Sequence, residues 1–555
     1  MKKGMRKINP GPINAMNIVL GVIVLSLVGW WLYVDVSIGI PFHARSDPAM
    51  AYFIDSLGAF QGREYAFYQH PGTPVTLLGT ILLSLTYPFL GGSIDAFTLF
   101  HLQNPHVFLT MAHAVLILGS IATLLSLSKH TFSGEHWTDQ LVSAAIAVLY
   151  FLLFPQAFRL IMTWSHNSFS FPAGALLSLV LLQMLRCNQA LSRKQQILLG
   201  ACTGVLAATQ LHFAAWTVGT IGAICLSHYL LGEDRRSIFL ACLQTGFSAL
   251  GGFILVTLPI WKHYPAFFAW VLGILSHQGP YGSGAPGFTS KAQFALNFME
   301  LWRGFPLLFS LSTVILVALG ITLFLQRKKI KQNIGYWSAA FGLSVQLVVS
   351  IALIGKHPNS LYLQSVAAIL PVLLGIAIAL SCGSKCNKSP TFRLVKFGFS
   401  IMVLIGFFLN LSRAVIDVQT EQRQIDTAMD VIDDFLDGYA ESHLIPAQDI
   451  ARLWTYGMPS DCVALWYGNA YSGYGLSDSI MRICSGDYEL DLWNNVVNLP
   501  DGTTVPPDQV DWDVIITAEA AVLEFPYLES YGDLVFTDTQ LGTFGRVVFI
   551  VTRDD

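Results

Sequence analysis

The stretch FHARSDPAMAYFIDSLGAFQGREYAFYQHPGTP, residues 42–74, gathers Arg45, Asp47, Asp55, Arg63, Glu64 and His70 within a chain otherwise poor in charge. A carboxylate among arginines stays ionised and aligned, as a general base beside a bound nucleophile must be. Asp47 is the acid best placed for that work. It also precedes Pro48, and Pro in a first helical turn behind an acid near the N-cap describes an ordinary capped helix over 48–60. Either reading sets Asp47 at the head of an amphipathic helix suited to lying on a bilayer surface.

These residues need a frame. Of the 555 residues 53% are hydrophobic and 12% charged, against roughly 25% charged in a soluble domain, so water is not the main solvent. Apolar stretches of about 18 to 25 residues recur between positions 14 and 411, each able to cross a hydrocarbon core roughly 30 Å thick. Lys and Arg collect at 186–194, 235–236, 327–331 and 385–396, and short loops rich in them stay cytoplasmic. The N-terminus, with Lys2, Lys3, Arg6 and Lys7, goes to the same side. The span that follows is too long for a signal peptide and is expected to stay uncleaved.

This parity holds if residues 74–90 do not cross, so that segment reads as a re-entrant or interfacial helix. The expected fold is a polytopic α-helical membrane bundle of about 11 spans, near 13–36, 105–128, 140–158, 168–185, 197–211, 214–231, 238–260, 303–325, 335–354, 361–381 and 397–413. Glu135, Asp139, Glu233 and Asp234 then fall in cytoplasmic loops and read as solvated. Asp35, Asp47, Asp55, Glu64, Asp95 and Glu300 fall on the outer side, in or near a first outer loop at 35–74 and a second at 261–296. A site, if there is one, faces outward.

Residues 1–413 therefore form the transmembrane domain, and 414–555 an acidic extracytoplasmic domain without a single lysine. An amphipathic helix at 425–439 and strand-like runs at 462–466, 514–516 and 535–551 predict a small α/β fold there. Its cysteines, Cys462 and Cys484, are either a disulfide or two buried thiols. The remaining cysteines lie in or beside spans as packing residues, and Cys382 and Cys386 lack the second ligand pair that zinc requires.

An acid after the first span, a surface helix, the Gly-aromatic step at 62–65 and the turn His70-Pro71-Gly72 together resemble the multi-span glycosyltransferases that use polyprenyl-phosphate sugars, the GT-C-like superfamily of protein O-mannosyltransferases, the oligosaccharyltransferase catalytic subunit and lipid A aminoarabinose transferases. The resemblance is at the level of fold. It implies that Asp47 takes the proton from an acceptor attacking a lipid-linked sugar. Lys356 and His357, in GKHPNSLYLQ, would then hold the donor phosphate, with Arg303 beside Trp302 in the same role and Tyr362-Leu363 matching an aromatic-Leu pair. A snorkelling interfacial lysine is the plainer reading of Lys356.

The segment SHQGPYGSGAPGF is no nucleotide P-loop. It reads as a lid bringing His277 and Tyr281 to a sugar, or as a flexible connector. Where several relatives carry a second acid, this chain has Trp164-Ser165-His166-Asn167. That departure makes metal-independent transfer the expectation: no cofactor and no metal ligand set, although His70 and His166 keep a divalent transition metal possible. Arg45, Asp55, Arg63, Glu64, His70 and His166 remain substrate-binding candidates, and His212 reads as a bundle histidine. The partners implied are a polyprenyl-phosphate-linked sugar donor and a lipid, glycan or protein acceptor, with the chain multi-pass in a bacterial inner membrane and its C-terminal domain periplasmic. A polysaccharide polymerase or ligase, or a transporter, are the alternatives; the latter would want charged pairs in mid-span.

Overall fold

The structure is a computed structural model that describes residues 15–39, 46–68, 72–131, 136–278, 284–287, 289–356, 358–381, 389–455, 458–492, 494–499, 502–541 and 544–552. Helix α1 (Ala15–Leu32) runs on through a π-helical turn, Tyr33–Ile38, and stops at Gly39, whose φ of 65° is left-handed. Three helices follow before the next span: α2 (Ser46–Phe60), α3 (Thr73–Leu90) and α4 (Ile94–Gln103). The bundle continues with α5 (Pro105–His130), α6 (Trp137–Leu153), the single turn α7 (Ala157–Leu160), α8 (Leu176–Leu185), α9 (Arg193–Thr209), α10 (Ala214–Leu231) and α11 (Arg235–Thr257). It closes with α12 (Tyr264–Ser276), α13 (Lys291–Gly304), α14 (Pro306–Gln326), α15 (Ile334–Lys356), α16 (Gln364–Ser381) and α17 (Pro390–His443).

Hydrogen bonds between distant helix ends define two faces. At one, Arg186 donates to the carbonyls of His130 and Thr131, Gly335 N–H donates to Asn188, and Gln326 donates to the Leu380 carbonyl. At the other, Trp30 donates to the Phe158 carbonyl, Asn297 to the Gly355 carbonyl, and Gln419 to the Tyr33 hydroxyl. The C-terminal domain sits on this second face, called the domain face below.

Ten helices among the described residues are long and apolar enough to cross a membrane, and α3 is one of them. Yet α1 ends and α5 begins at the domain face, where Asp35 meets His113 at 3.1 Å. The chain between them must return to its starting face, and the 10-residue α4 is about 15 Å long, too short to bring a crossing α3 back. By length and composition the candidates are these ten helices and the shorter apolar α6, close to the eleven expected, and the return path sets α3 aside among them.

Bare backbone permits the close packing. Gly200 and Gly204 of α9 face the backbone of α11 at Thr245 and Ala249, and Gly252 of α11 faces Ala201 in return, while Gly219 and Gly342 do the same for α10 and α15. Small residues at such crossings let helices approach where lipid offers no hydrophobic drive.

Several expectations need correction. Asp139 is not solvated: it is buried and ion-paired to the buried Lys396 at 2.5 Å, binding α6 to α17 at the face opposite the domain. The outer segment 261–296 is not an open loop, because α11 turns back through a 3-10 corner, Leu258–His263, into α12, with Phe253 and Phe267 rings 6.1 Å apart across the bend. Among its described residues, only 277–278, 284–287 and 289–290 lie outside the helices. The boundary expected at residue 413 lies inside α17, a single helix of 54 residues. Its apolar first half crosses the bundle and its acidic second half becomes the first layer of the C-terminal domain.

That domain is a seven-stranded mixed sheet ordered β4-β3-β2-β1-β5-β7-β6, from β1 (Arg452–Thr455), β2 (Asp487–Asp491), β3 (Val496–Asn498), β4 (Thr504–Val505), β5 (Val514–Ala518), β6 (Asp533–Gln540) and β7 (Arg546–Val551). β1 is parallel to β2 and β5, and the other pairs are antiparallel. Ala428, Ile432 and Leu436 of α17 cover one sheet face against Val514, Ile516 and Phe549, with Phe435 stacked on Phe549 at 3.7 Å. The run 462–466 is helix, not strand: Ser460 caps α18 (Asp461–Tyr471) by accepting from Val463 N–H. Cys462 and Cys484 are disulfide-bonded, Cα–Cα 5.5 Å.

Helix α18 lies on α2 at Gly468, where an added Cβ would stand 2.8 Å from both the Met50 carbonyl oxygen and Ile54 Cγ1. Gly468→Ala should therefore weaken docking of the domain on the bundle by about 1–3 kcal/mol. The expected result is faster limited proteolysis of the domain in the folded full chain; a wild-type cleavage rate would count against this contact as its seat.

Candidate functional site

Helix α2 is the centre of the domain face. It is not laid on a bilayer surface, as its amphipathicity predicts, but enclosed: Met50, Tyr52, Phe53, Ile54 and Leu57 are each 1% exposed or less. α18 covers one side and α3 the other, where Ser56 donates to the Tyr52 and Thr76 carbonyls and Gly79 leaves room for the Ser56 side chain. Phe53 meets Phe108 of α5 at 5.0 Å. Ser56 is thus fixed between α2 and α3.

Two sets of polar groups form around it. The first is a band at the domain-face ends of the spans. Tyr52 hydroxyl lies 2.8 Å from His166 Nδ1, and the next residue, Asn167, accepts from Gln364 Nε2 at 2.9 Å. Two residues before Gln364, the Tyr362 ring lies 5.0 Å from the His212 ring. Gln364 Oε1 and both amide atoms of Gln210 are buried without a hydrogen-bond partner among the described residues, a state that ligand or water must relieve. Lys356, the last residue of α15, is 8% exposed, so it does not snorkel. Asp47 is the second residue of α2, five positions before Tyr52, hence roughly 7 Å along the axis from the band.

The second set lines a cavity of about 470 Å³ between α2 and the turn after α18. Three residues singled out in the sequence, Asp55, Arg63 and Glu64, come together here with His263. Asp55 is buried; its Oδ1 accepts from Ala66 N–H at 3.0 Å, while Oδ2 has no partner among the described residues. Burial pushes its carboxyl up to about 6, against the pull of the Ala66 and Phe67 amides and the nearby Thr76 side chain. Arg63 donates to Gln61 at 3.0 Å, Glu64 is ion-paired to Lys262, and Tyr68 stacks on His263 at 5.4 Å. Lys262 and His263 belong to the corner between α11 and α12, which is thereby fastened to the first loop.

The other predicted residues scatter or fall outside the description. Arg303 is exposed in the last turn of α13. His277 follows α12, with Nδ1 near the Gly273 carbonyl at 3.2 Å and Ser276 Oγ at 3.0 Å. Arg45, His70, Tyr281 and His357 lie outside the described residues. No group of three His, Cys, Asp or Glu side chains suited to a metal occurs among the described residues. Sequence reasoning passed over Tyr52, Asn167, Gln364, Lys262 and His263; the pair Lys262-His263 after Trp261 carried a signal, being basic residues on an outer aromatic corner.

No family model matches the chain, and no curated protein does. Among solved structures the fold is similar to the crystal structure of the Archaeoglobus fulgidus oligosaccharyltransferase in complex with zinc and sulfate, with 13% identity and a TM-score of 0.45 over 95% of this chain and 72% of that one. Fold and site define a polytopic membrane protein with a polar, enclosed face under an extramembrane α/β domain. Its function is argued below from that face.

Asp55 gives the face a pH signature. The folded carboxyl keeps its proton to about pH 6, whereas the ordinary value is 3.8, so the folded state holds the extra proton between those values. Stability falls as pH climbs through that window and does not recover above it. Asp55→Asn, which stays neutral, should flatten this decline and raise stability at pH 7.5 by on the order of 2 kcal/mol. Thermal unfolding from pH 4 to 8 reads it; parallel profiles for the two proteins would remove Asp55 as the cause.

Proposed function

We propose that this chain is a membrane glycosyltransferase that moves a sugar from a polyprenyl-phosphate donor to an acceptor at the domain face, with Asp47 as general base. The observation that carries it is the position of Asp47 as the second residue of α2, the helix whose Tyr52 meets His166 at the edge of a band of buried amides. Such a band offers hydrogen-bonding groups to sugar hydroxyls in a place from which bulk water is excluded.

The chemistry balances simply. An acceptor hydroxyl or amide attacks the anomeric carbon, the bond from that carbon to the phosphate oxygen breaks, and the polyprenyl phosphate leaves with the electron pair. Asp47 takes the acceptor's proton. A phosphate leaves without a strong general acid, so the useful aid is positive charge beside it. Lys356, buried at the same face, supports that role, and Arg303, exposed on α13, supports at most an entry contact. A transporter is disfavoured by the location of the buried polar pairs: the Asp35–His113 contact lies near the domain face and the Asp139–Lys396 ion pair at the opposite one.

Asp47→Asn is expected to leave the protein folded and to lower transfer from a polyprenyl-phosphate sugar by about 10²-fold or more. Lys356→Met should lower kcat with a smaller change in donor KM. The measurement is transfer of radiolabelled sugar by the full chain in lipid nanodiscs; an Asp47→Asn protein that transfers at the wild-type rate sinks the assignment of the base.

A further inference from the structure

We propose that the cavity at Asp55 is a binding site for a neutral saccharide unit, with Asp55 accepting from a sugar hydroxyl and Arg63 donating to another. The site's existence does not depend on the reaction; its place as an acceptor subsite rests on the function proposed above.

Four observations converge. The volume of about 470 Å³ suits a small ring rather than a bulky chain. Asp55 reaches its wall with Oδ1 engaged by Ala66, while buried Oδ2 makes no hydrogen bond of good geometry among the described residues, the Phe67 amide and Thr76 side chain standing near the carboxyl. An acceptor held dry in that way is costly unless a donor arrives, and a sugar O–H is such a donor.

The walls are cut back to backbone at Gly58, Gly62, Gly473 and Gly475. At Gly62 and Gly473 the φ values of 82° and 69° favour the absence of a side chain as well. A flat ring can therefore approach main-chain amides and carbonyls directly. Finally, charge is balanced: the carboxyls of Asp55 and Glu64 stand against Arg63 and against Lys262, which is ion-paired to Glu64. An anion would meet the Asp55 carboxyl, whereas a neutral polyol uses donors and acceptors alike.

Placement relates the cavity to the reaction. Asp55 follows Asp47 by eight residues on one helix, about 12 Å along its axis. A di- or trisaccharide spans that distance, so an acceptor whose terminal hydroxyl lies at Asp47 would seat an inner unit at Asp55. Of the lipid, glycan and protein acceptors, this favours a glycan.

The test is direct binding, read by saturation-transfer NMR on the full chain in nanodiscs free of glycoside detergent. The probes are the methyl glycosides of glucose, galactose, mannose and N-acetylglucosamine, and separately inorganic phosphate. At least one glycoside should bind the wild type. Asp55→Asn, which turns the free acceptor into an NH₂ donor, should weaken it about tenfold or more. Gly58→Leu should do the same by filling the space: a Cβ at this helical position meets just Arg63 Cδ, at 3.9 Å, so the helix keeps its fold even if the first variant does not. Absence of glycoside binding by the wild type overturns the proposal, as does undiminished binding by a folded variant, or phosphate binding in place of the sugars. Loss of the Asp47 assignment with glycoside binding intact would sink the proposed reaction and leave this cavity standing.

Discussion

Everything on the domain face depends on α2 being buried on all sides, and that is possible because its neighbours withdraw their side chains. Gly79 of α3 makes room for Ser56, Gly72 for the Tyr52 ring, and Gly468 of α18 for the Met50 carbonyl and Ile54. With these gaps, Met50, Tyr52, Phe53, Ile54 and Leu57 leave water or lipid entirely, at roughly 2 kcal/mol for each large side chain. The same helix supplies the seat for the C-terminal domain, one partner of the polar band and the carboxyl of the cavity. An α2 lying on lipid would supply none of these.

The bundle was largely legible because its rules are compositional. Apolar length marks the spans, and the positions of Lys and Arg order their ends; the contacts of Arg186, Asn188 and Gln326 at one face follow that order. What failed was the assumption that each segment sees solvent according to its own pattern. α2 is amphipathic because one side meets a helix and the other a domain, an arrangement indistinguishable in sequence from lipid on one side and water on the other. Asp139 looks like a loop residue until Lys396, 257 positions away, is brought beside it. Residues 462–466 alternate less than a strand should, and the Ser460 cap was the overlooked sign of a helix.

The site was legible in part for the same reason. Asp55, Arg63 and Glu64 are close in sequence, and the structure keeps them around one cavity. Their partners are distant: Lys262 lies 198 positions from Glu64, and His166 lies 114 from Tyr52. No spacing rule reaches so far. The buried amides Gln210 and Gln364 were invisible because an amide in a span end reads as mildly polar, and its significance emerges from what fails to bond it.

Helix α17 has a mechanical consequence. Its 54 residues run without interruption from the face opposite the domain to the sheet, a rod of about 80 Å. Pivoted at its Lys396 end, a tilt of about 5° would displace the far tip by about 6 Å, and helices tilt to match the thickness of the bilayer around them. The rod thus joins the sheet to the span with no hinge between them, and the α2–α18 contact is the second point that holds the domain against the bundle.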